Sequence, residues 1–170
     1  MSSYDKQTIA ELIDGDLPWN KVKEIISNPK DPERFDTVVQ ILQERVPWDD
    51  PILLPLAEHL YIVQTKTDRV VKCDCGHEFG PYTENWKHGA RVRVRNTRES
   101  LKELYRDYEH CDPDWMELRE YFCPGCFALL EVEALPPGYP VLFDFLPDLE
   151  GFYGKVLGRP LLSVVGSGEE

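Results

Sequence analysis

Cys73-Asp74-Cys75-Gly76-His77 and Cys123-Pro124-Gly125-Cys126 are the two stretches from which the rest of this chain is read. Each puts two thiols on a short turn, with Gly76 or Gly125 where backbone amides must point toward a bound anion. Four thiolates at tetrahedral geometry suit a closed structural Zn²⁺ site that keeps no position for substrate. Cys-x-x-Cys with proline inside is a common zinc-knuckle arrangement, whereas Cys-x-Cys is tighter and less common. Residues 76–122 separate the pairs, well beyond the spacing of a compact finger. The ligand set read from these spacings is Cys73, Cys75, Cys123 and Cys126.

Other uses of the cysteines are weaker. Disulfides need an oxidising compartment, to which nothing in the chain points. A thioredoxin-type Cys-x-x-Cys opens a helix after a strand, but Cys123 follows Tyr121-Phe122 and precedes a β-prone run. His77 is an alternative ligand in place of Cys73 or Cys75. Cys111 has no partner at ligand spacing and reads as a buried or loop thiol. Phe127 follows the last cysteine, where many zinc ribbons carry glycine.

Composition narrows the function classes. With 170 residues, 42% of them hydrophobic, the chain suits one domain plus extensions. The excess of 31 acidic over 19 basic residues gives a net charge of −12. That disfavours nucleic acid, whose phosphates are bound by excess Lys and Arg. No apolar run approaches the roughly 18 residues that span a membrane. Met1-Ser2-Ser3-Tyr4-Asp5-Lys6 has no signal-peptide core, so the expectation is a soluble cytoplasmic protein.

Outward from the knuckles, strands should deliver both pairs to one point. Leu60-Tyr61-Ile62-Val63, a turn at Lys66-Thr67-Asp68 and Arg69-Val70-Val71-Lys72 form a hairpin into Cys73. Trp115 to Phe122 enters the second knuckle, and Ala128 to Val132 leaves it. Between them, Arg91-Val92-Arg93-Val94-Arg95 alternates as a strand, with three guanidiniums on one face and two valines on the other. That arginine face reads by default as solvated, and alternatively as facing an acidic surface of this chain or a partner. Asn96 with Glu99 signals a helix start, with Leu101, Leu104, Tyr105 and Tyr108 as its buried stripe.

Residues 5–45 read as three helices. Ile9, Leu12 and Ile13 end at Gly15; Val22, Ile25 and Ile26 stop at Asn28-Pro29. Asp31 caps the third, with Pro32 first and Phe35, Val38, Val39 and Leu42 as its stripe. Asp49-Asp50 could bind metal but reads as turn chemistry before Pro51. After Leu135, Pro136-Pro137-Gly138-Tyr139-Pro140 cannot extend a sheet, yet aromatic and aliphatic residues crowd the run to Tyr153. That composition predicts an arm lying along a partner subunit, followed by a frayed tail over 163–170. The expected fold class is α+β: an antiparallel zinc-ribbon-like module at 51–135, N-terminal helices in 1–50, and an extended arm and tail over 136–170. No phosphate-binding loop or nucleophile–base spacing occurs in the sequence, because Gly151 and Gly154 lack the Lys-Ser/Thr ending.

Five stretches in order resemble the gamma-subunit family of acetone carboxylase: Asn28-Pro29-Lys30-Asp31-Pro32-Glu33-Arg34-Phe35, Ile41-Leu42-Gln43-Glu44-Arg45-Val46-Pro47-Trp48-Asp49-Asp50, Cys73 to His77, Arg119-Glu120-Tyr121-Phe122-Cys123-Pro124-Gly125-Cys126, and Pro147-Asp148-Leu149-Glu150-Gly151-Phe152-Tyr153. The resemblance implies a heterohexamer of two alpha, two beta and two gamma chains. That complex carboxylates acetone with bicarbonate to acetoacetate, driven by ATP. It also implies that nucleotide and manganese (Mn²⁺) belong to the larger chains, and that the zinc ligands map onto Cys73, Cys75, Cys123 and Cys126. The competing class is a free-standing zinc-ribbon adaptor for protein or nucleic acid, which the net charge and the apolar arm disfavour.

Overall fold

The structure is a computed structural model that describes residues 4–161. Three helices open it: α1 (Lys6–Asp14), α2 (Trp19–Ser27) and α3 (Arg34–Arg45). Asp5 caps α1 by accepting from the Thr8 amide at 2.7 Å, and Gly15 closes it in the left-handed conformation at φ 75°. Asp31 does accept a backbone amide, that of Glu33 at 2.9 Å, but Pro32 and Glu33 form a turn and α3 begins at Arg34. The α2 stripe is narrower than expected, with Ile25 buried and Ile26 exposed. On α3, Ile41 is the buried residue, while Phe35, Val38, Val39 and Leu42 are half-buried.

Two antiparallel sheets follow, so the α+β class and the zinc-ribbon-like arrangement hold. The first is a meander of β1 (Ile52–Ala57), β2 (Leu60–Gln64), β3 (Arg69–Cys73) and β4 (Glu78–Pro81). Pro55 sits inside β1, tolerated because β1 is an edge strand whose register shifts beside it. The second sheet comprises β5 (Arg91–Arg95), β6 (Glu117–Phe122) and β7 (Leu129–Leu135). In β2, Leu60 and Ile62 face a core shared with Val71 of β3 and with Trp86, Tyr121 and Leu130 from later in the chain. Tyr61 and Val63 face a smaller cluster closed by Val39 and Leu42 of α3. Burial on both faces explains why β2 reads as an unbroken apolar run.

Between β5 and β6, α4 (Arg98–Lys102) is capped by Thr97 rather than Asn96. Thr97 and Ser100 form a reciprocal box in which each side chain accepts the other's backbone amide. The helix stops after five residues, so the stripe cannot continue: Leu101 is buried, but Leu104, Tyr105 and Tyr108 are exposed. The arginine face of β5 is largely met by this chain's own carboxylates. Arg95 is buried between Glu120 (2.7 Å) and Glu103 (2.8 Å), and Arg93 reaches Glu103 at 2.5 Å. The valines on the opposite face, Val92 and Val94, are exposed instead.

Residues 136–148 contain no helix or strand and carry exposed Tyr139, Leu142, Phe143, Phe145 and Leu146. The expectation of an extended apolar segment holds there. Its far end turns inward: Leu149 and Tyr153 join the main core, and the Tyr153 hydroxyl donates to the Leu53 carbonyl at 2.8 Å. The tail expected over 163–170 lies outside the described residues.

Candidate metal centre

β3 ends at Cys73 and β6 ends one residue before Cys123, so the ends of the two sheets bring the knuckles together. The four sulfurs all lie within 4.8 Å of one another. Cys73 Sγ is 3.8 Å from Cys126 Sγ, and Cys75 Sγ is 3.6 Å from Cys123 Sγ. Tetrahedral Zn–S bonds of about 2.3 Å set sulfur–sulfur edges of about 3.8 Å, while a disulfide brings its sulfurs to about 2.05 Å. The donor set and its spacing therefore fit a metal such as zinc. Cys73 and Cys123 sit on the core side, Cys75 and Cys126 on the solvent side.

Each knuckle supplies amide donors to its sulfurs. The Gly125 amide lies 3.3 Å from Cys123 Sγ, and the Ala128 amide holds the Cys126 thiol below the ordinary thiol range. Burial pushes Cys73 and Cys75 upward, opposed by the Cys75 and His77 amides respectively. Buried thiols favour their neutral form unless a cation compensates, and donated amides favour the thiolate. Gly125 also permits close approach of the knuckles. A Cβ there would stand 3.1 Å from Cys75 Sγ and 3.2 Å from His77 Cβ.

Surrounding side chains fix the first knuckle. The Trp48 indole N–H donates to the carbonyls of Cys73 (3.2 Å) and Asp74 (3.0 Å). The Asp74 amide donates to the His59 carbonyl at 3.1 Å, and the Asp74 carboxylate pairs with the His59 ring. Gly76 adopts φ 93°, and a Cβ on it would meet the Trp48 ring at 3.3 Å. Spacing rules do not reveal Trp48, because its role is a contact across 25 residues to the Cys73 carbonyl.

Other sequence candidates fall outside the cluster. His77 is not among the four clustered groups, and its ring packs edge-on against Phe79. The Cys111 thiol points to the Met116 carbonyl at 3.6 Å. Asp50 pairs with Lys72 at 2.6 Å, and Asp49 is exposed, consistent with the turn reading. Glu131, Glu133 and Asp144 also converge, but the Lys87 ammonium occupies their centre. Two clefts of about 740 and 600 Å³ open elsewhere, lined by His59, Tyr61 and Arg45 in one and Arg34, Phe35 and Phe152 in the other. Neither is lined by a knuckle cysteine. No helix among the described residues is long and apolar enough to cross a membrane.

Comparison with known proteins gives this geometry a family. A family profile described as acetone carboxylase gamma subunit matches residues 46–157, a span that holds both sheets and all four cysteines. The chain is 48% identical over 161 residues to the acetone carboxylase gamma subunit of Xanthobacter autotrophicus (strain ATCC BAA-1158 / Py2), covering 94% of this chain and 96% of that protein. It is 31% identical over 85 residues to the acetophenone carboxylase beta subunit of Aromatoleum aromaticum (strain DSM 19018 / LMG 30748 / EbN1), covering 49% of this chain and 66% of that relative. An alignment running nearly end to end, together with a profile spanning the whole cysteine-bearing module, places this chain in the acetone carboxylase gamma subunit family.

Proposed function

We propose that this chain is the gamma subunit of an acetone carboxylase. In this reading it holds one structural Zn²⁺ through Cys73, Cys75, Cys123 and Cys126 and contributes no catalytic group. It assembles with larger alpha and beta chains, two of each with two of itself. That complex carboxylates acetone with bicarbonate to acetoacetate at the expense of ATP, and nucleotide and Mn²⁺ reside on the larger chains. The observation that carries the structural role is the four-sulfur cluster, whose donors all come from this chain. A tetrahedral ion so held has no open position for substrate. Its binding free energy, on the order of 10–16 kcal/mol for a structural zinc, would tie the ends of the two sheets together and become folding free energy.

The remaining residues fit a supporting part. Trp48, Gly125 and the knuckle amides orient sulfurs rather than a reacting carbonyl. The exposed apolar run in 139–146 suits a subunit contact. Reconstitution tests the proposal. Purified gamma alone should neither hydrolyse ATP nor carboxylate acetone, and alpha plus beta should regain acetone-dependent turnover when gamma is added. ATPase activity in gamma alone, or full turnover without it, would refute the assignment.

A further inference from the structure

The two knuckles share one conformational requirement and answer it differently. In each, the residue directly after the second cysteine has a left-handed backbone: Gly76 at φ 93° and Phe127 at φ 61°. Glycine occupies that conformation without steric penalty, whereas a bulky L-residue there is an outlier held in place by its surroundings. The surroundings of Phe127 do not reward it with burial. Its side chain is 63% exposed, beside the solvent-side Cys126, with exposed Leu129 two residues on.

Charge at this tip is also unbalanced. Arg93 and Arg95 are neutralised by Glu103 and Glu120, but the Arg91 guanidinium lies 5.4 Å from the Phe127 ring centroid. Among the described residues, no carboxylate pairs with it. The exposed Phe127 ring on its left-handed backbone is stacked by the Arg91 guanidinium, and in a chain of net charge −12 that guanidinium has no carboxylate partner among the described residues, so the stacked pair still has surface and charge to offer a partner. Aromatic and arginine side chains that fill desolvated pockets dominate subunit-interface energetics.

We infer that Phe127 and Arg91 form an interface anchor at the tip of the second knuckle. The anchor inserts into an apolar pocket with a carboxylate at its rim on a larger subunit of the carboxylase. This rests on the subunit reading above. The unpaired guanidinium favours an acidic rim, and the rigid cysteine turn presents the ring with little entropy left to lose on docking.

Full-length Phe127→Gly and Arg91→Glu chains, each co-expressed with the larger subunits, test the inference, with zinc content and thermal midpoint measured on the isolated gamma variants. Phe127→Gly should keep its zinc and a midpoint unchanged or raised, while recovery with the larger subunits drops about tenfold or more. Arg91→Glu should likewise keep zinc and lose recovery. Normal recovery of Phe127→Gly overturns the anchor, as does loss of zinc or stability in that variant, which would make Phe127 a structural residue. Self-association of wild-type gamma that Phe127→Gly abolishes would make the occupant a second copy and overturn the proposed partner. Failure of the wild-type chain itself to recover the larger subunits refutes the parent assignment and the anchor with it.

Discussion

Lys87→Met should be among the most damaging single changes outside the cysteines. The Lys87 side chain is 2% exposed, and its ammonium meets Glu131 at 2.8 Å and also contacts Glu133 and Asp144. Removing one partner of a buried pair costs about 3–5 kcal/mol, because the other charge stays desolvated. Here the three carboxylates differ. Asp144 is half exposed and Glu131 a third exposed, so both can turn to water, whereas Glu133 is 10% exposed and, among the described residues, keeps the Tyr121 hydroxyl at 2.7 Å. The expected loss is therefore near the lower bound, about 3 kcal/mol. For a chain of this size that lowers the thermal midpoint by about 6–12 °C.

Circular dichroism melts of the zinc-loaded chain at pH 7 would read the loss. Adding Glu133→Gln to Lys87→Met removes the stranded charge and should recover at least half of it. Burial pulls the Lys87 ammonium down in pKa, but hydrogen bonds to Asp144, Glu131 and Glu133 more than reverse this, so the pKa is raised. A raised lysine pKa stabilises at every pH below the ordinary lysine value and fades only above it. From this source, wild-type stability should stay flat from about pH 6 to 9. A loss under about 1 kcal/mol, as expected of an exposed pair such as Lys6–Glu44, would refute the reasoning, as would a double variant no more stable than the single one.

Leu149→Ala should cost about 2–5 kcal/mol in urea denaturation, because Leu149 is 1% exposed within the main core. A cost typical of the surface would mean that the end of the arm does not pack on its own chain. Tyr153→Phe should cost about 1 kcal/mol in the same assay through the lost bond to the Leu53 carbonyl. Gly125→Ala should weaken zinc affinity about tenfold in a chelator competition, since its Cβ crowds Cys75 Sγ and His77. An unchanged affinity would show that the knuckles tolerate separation.

The signals that survived from sequence to structure were local or chemical. The Cys-x-Cys and Cys-x-x-Cys spacings marked four sulfurs that do converge, because short turns fix where a thiol can point. Gly15 ended α1 as its left-handed preference requires, and the alternation of Arg91 to Arg95 was a strand. Long-range pairing was not legible. Nothing near Arg95 in sequence announces Glu120, which strand pairing sets near it, and nothing near Lys87 announces Glu131 or Asp144, which the tertiary fold brings to a short helical turn from a strand and from an irregular segment. The helix after β5 begins one residue later than Asn96 suggests, because Asn96 and Thr97 are both competent caps. Only the reciprocal bond with Ser100 selects Thr97. The apolar run to Tyr153 reads in sequence as one arm, yet a turn of helix at Leu149–Gly151 folds its end back into the core.

In the proposed role, four cysteines of this chain hold one zinc ion. X-ray absorption at the zinc edge, combined with metal quantification on freshly purified, chelator-free protein, tests it most directly. The result expected is one zinc per chain with four sulfur neighbours at about 2.3 Å. A folded chain without zinc, or a first shell containing nitrogen in place of a sulfur, would contradict it.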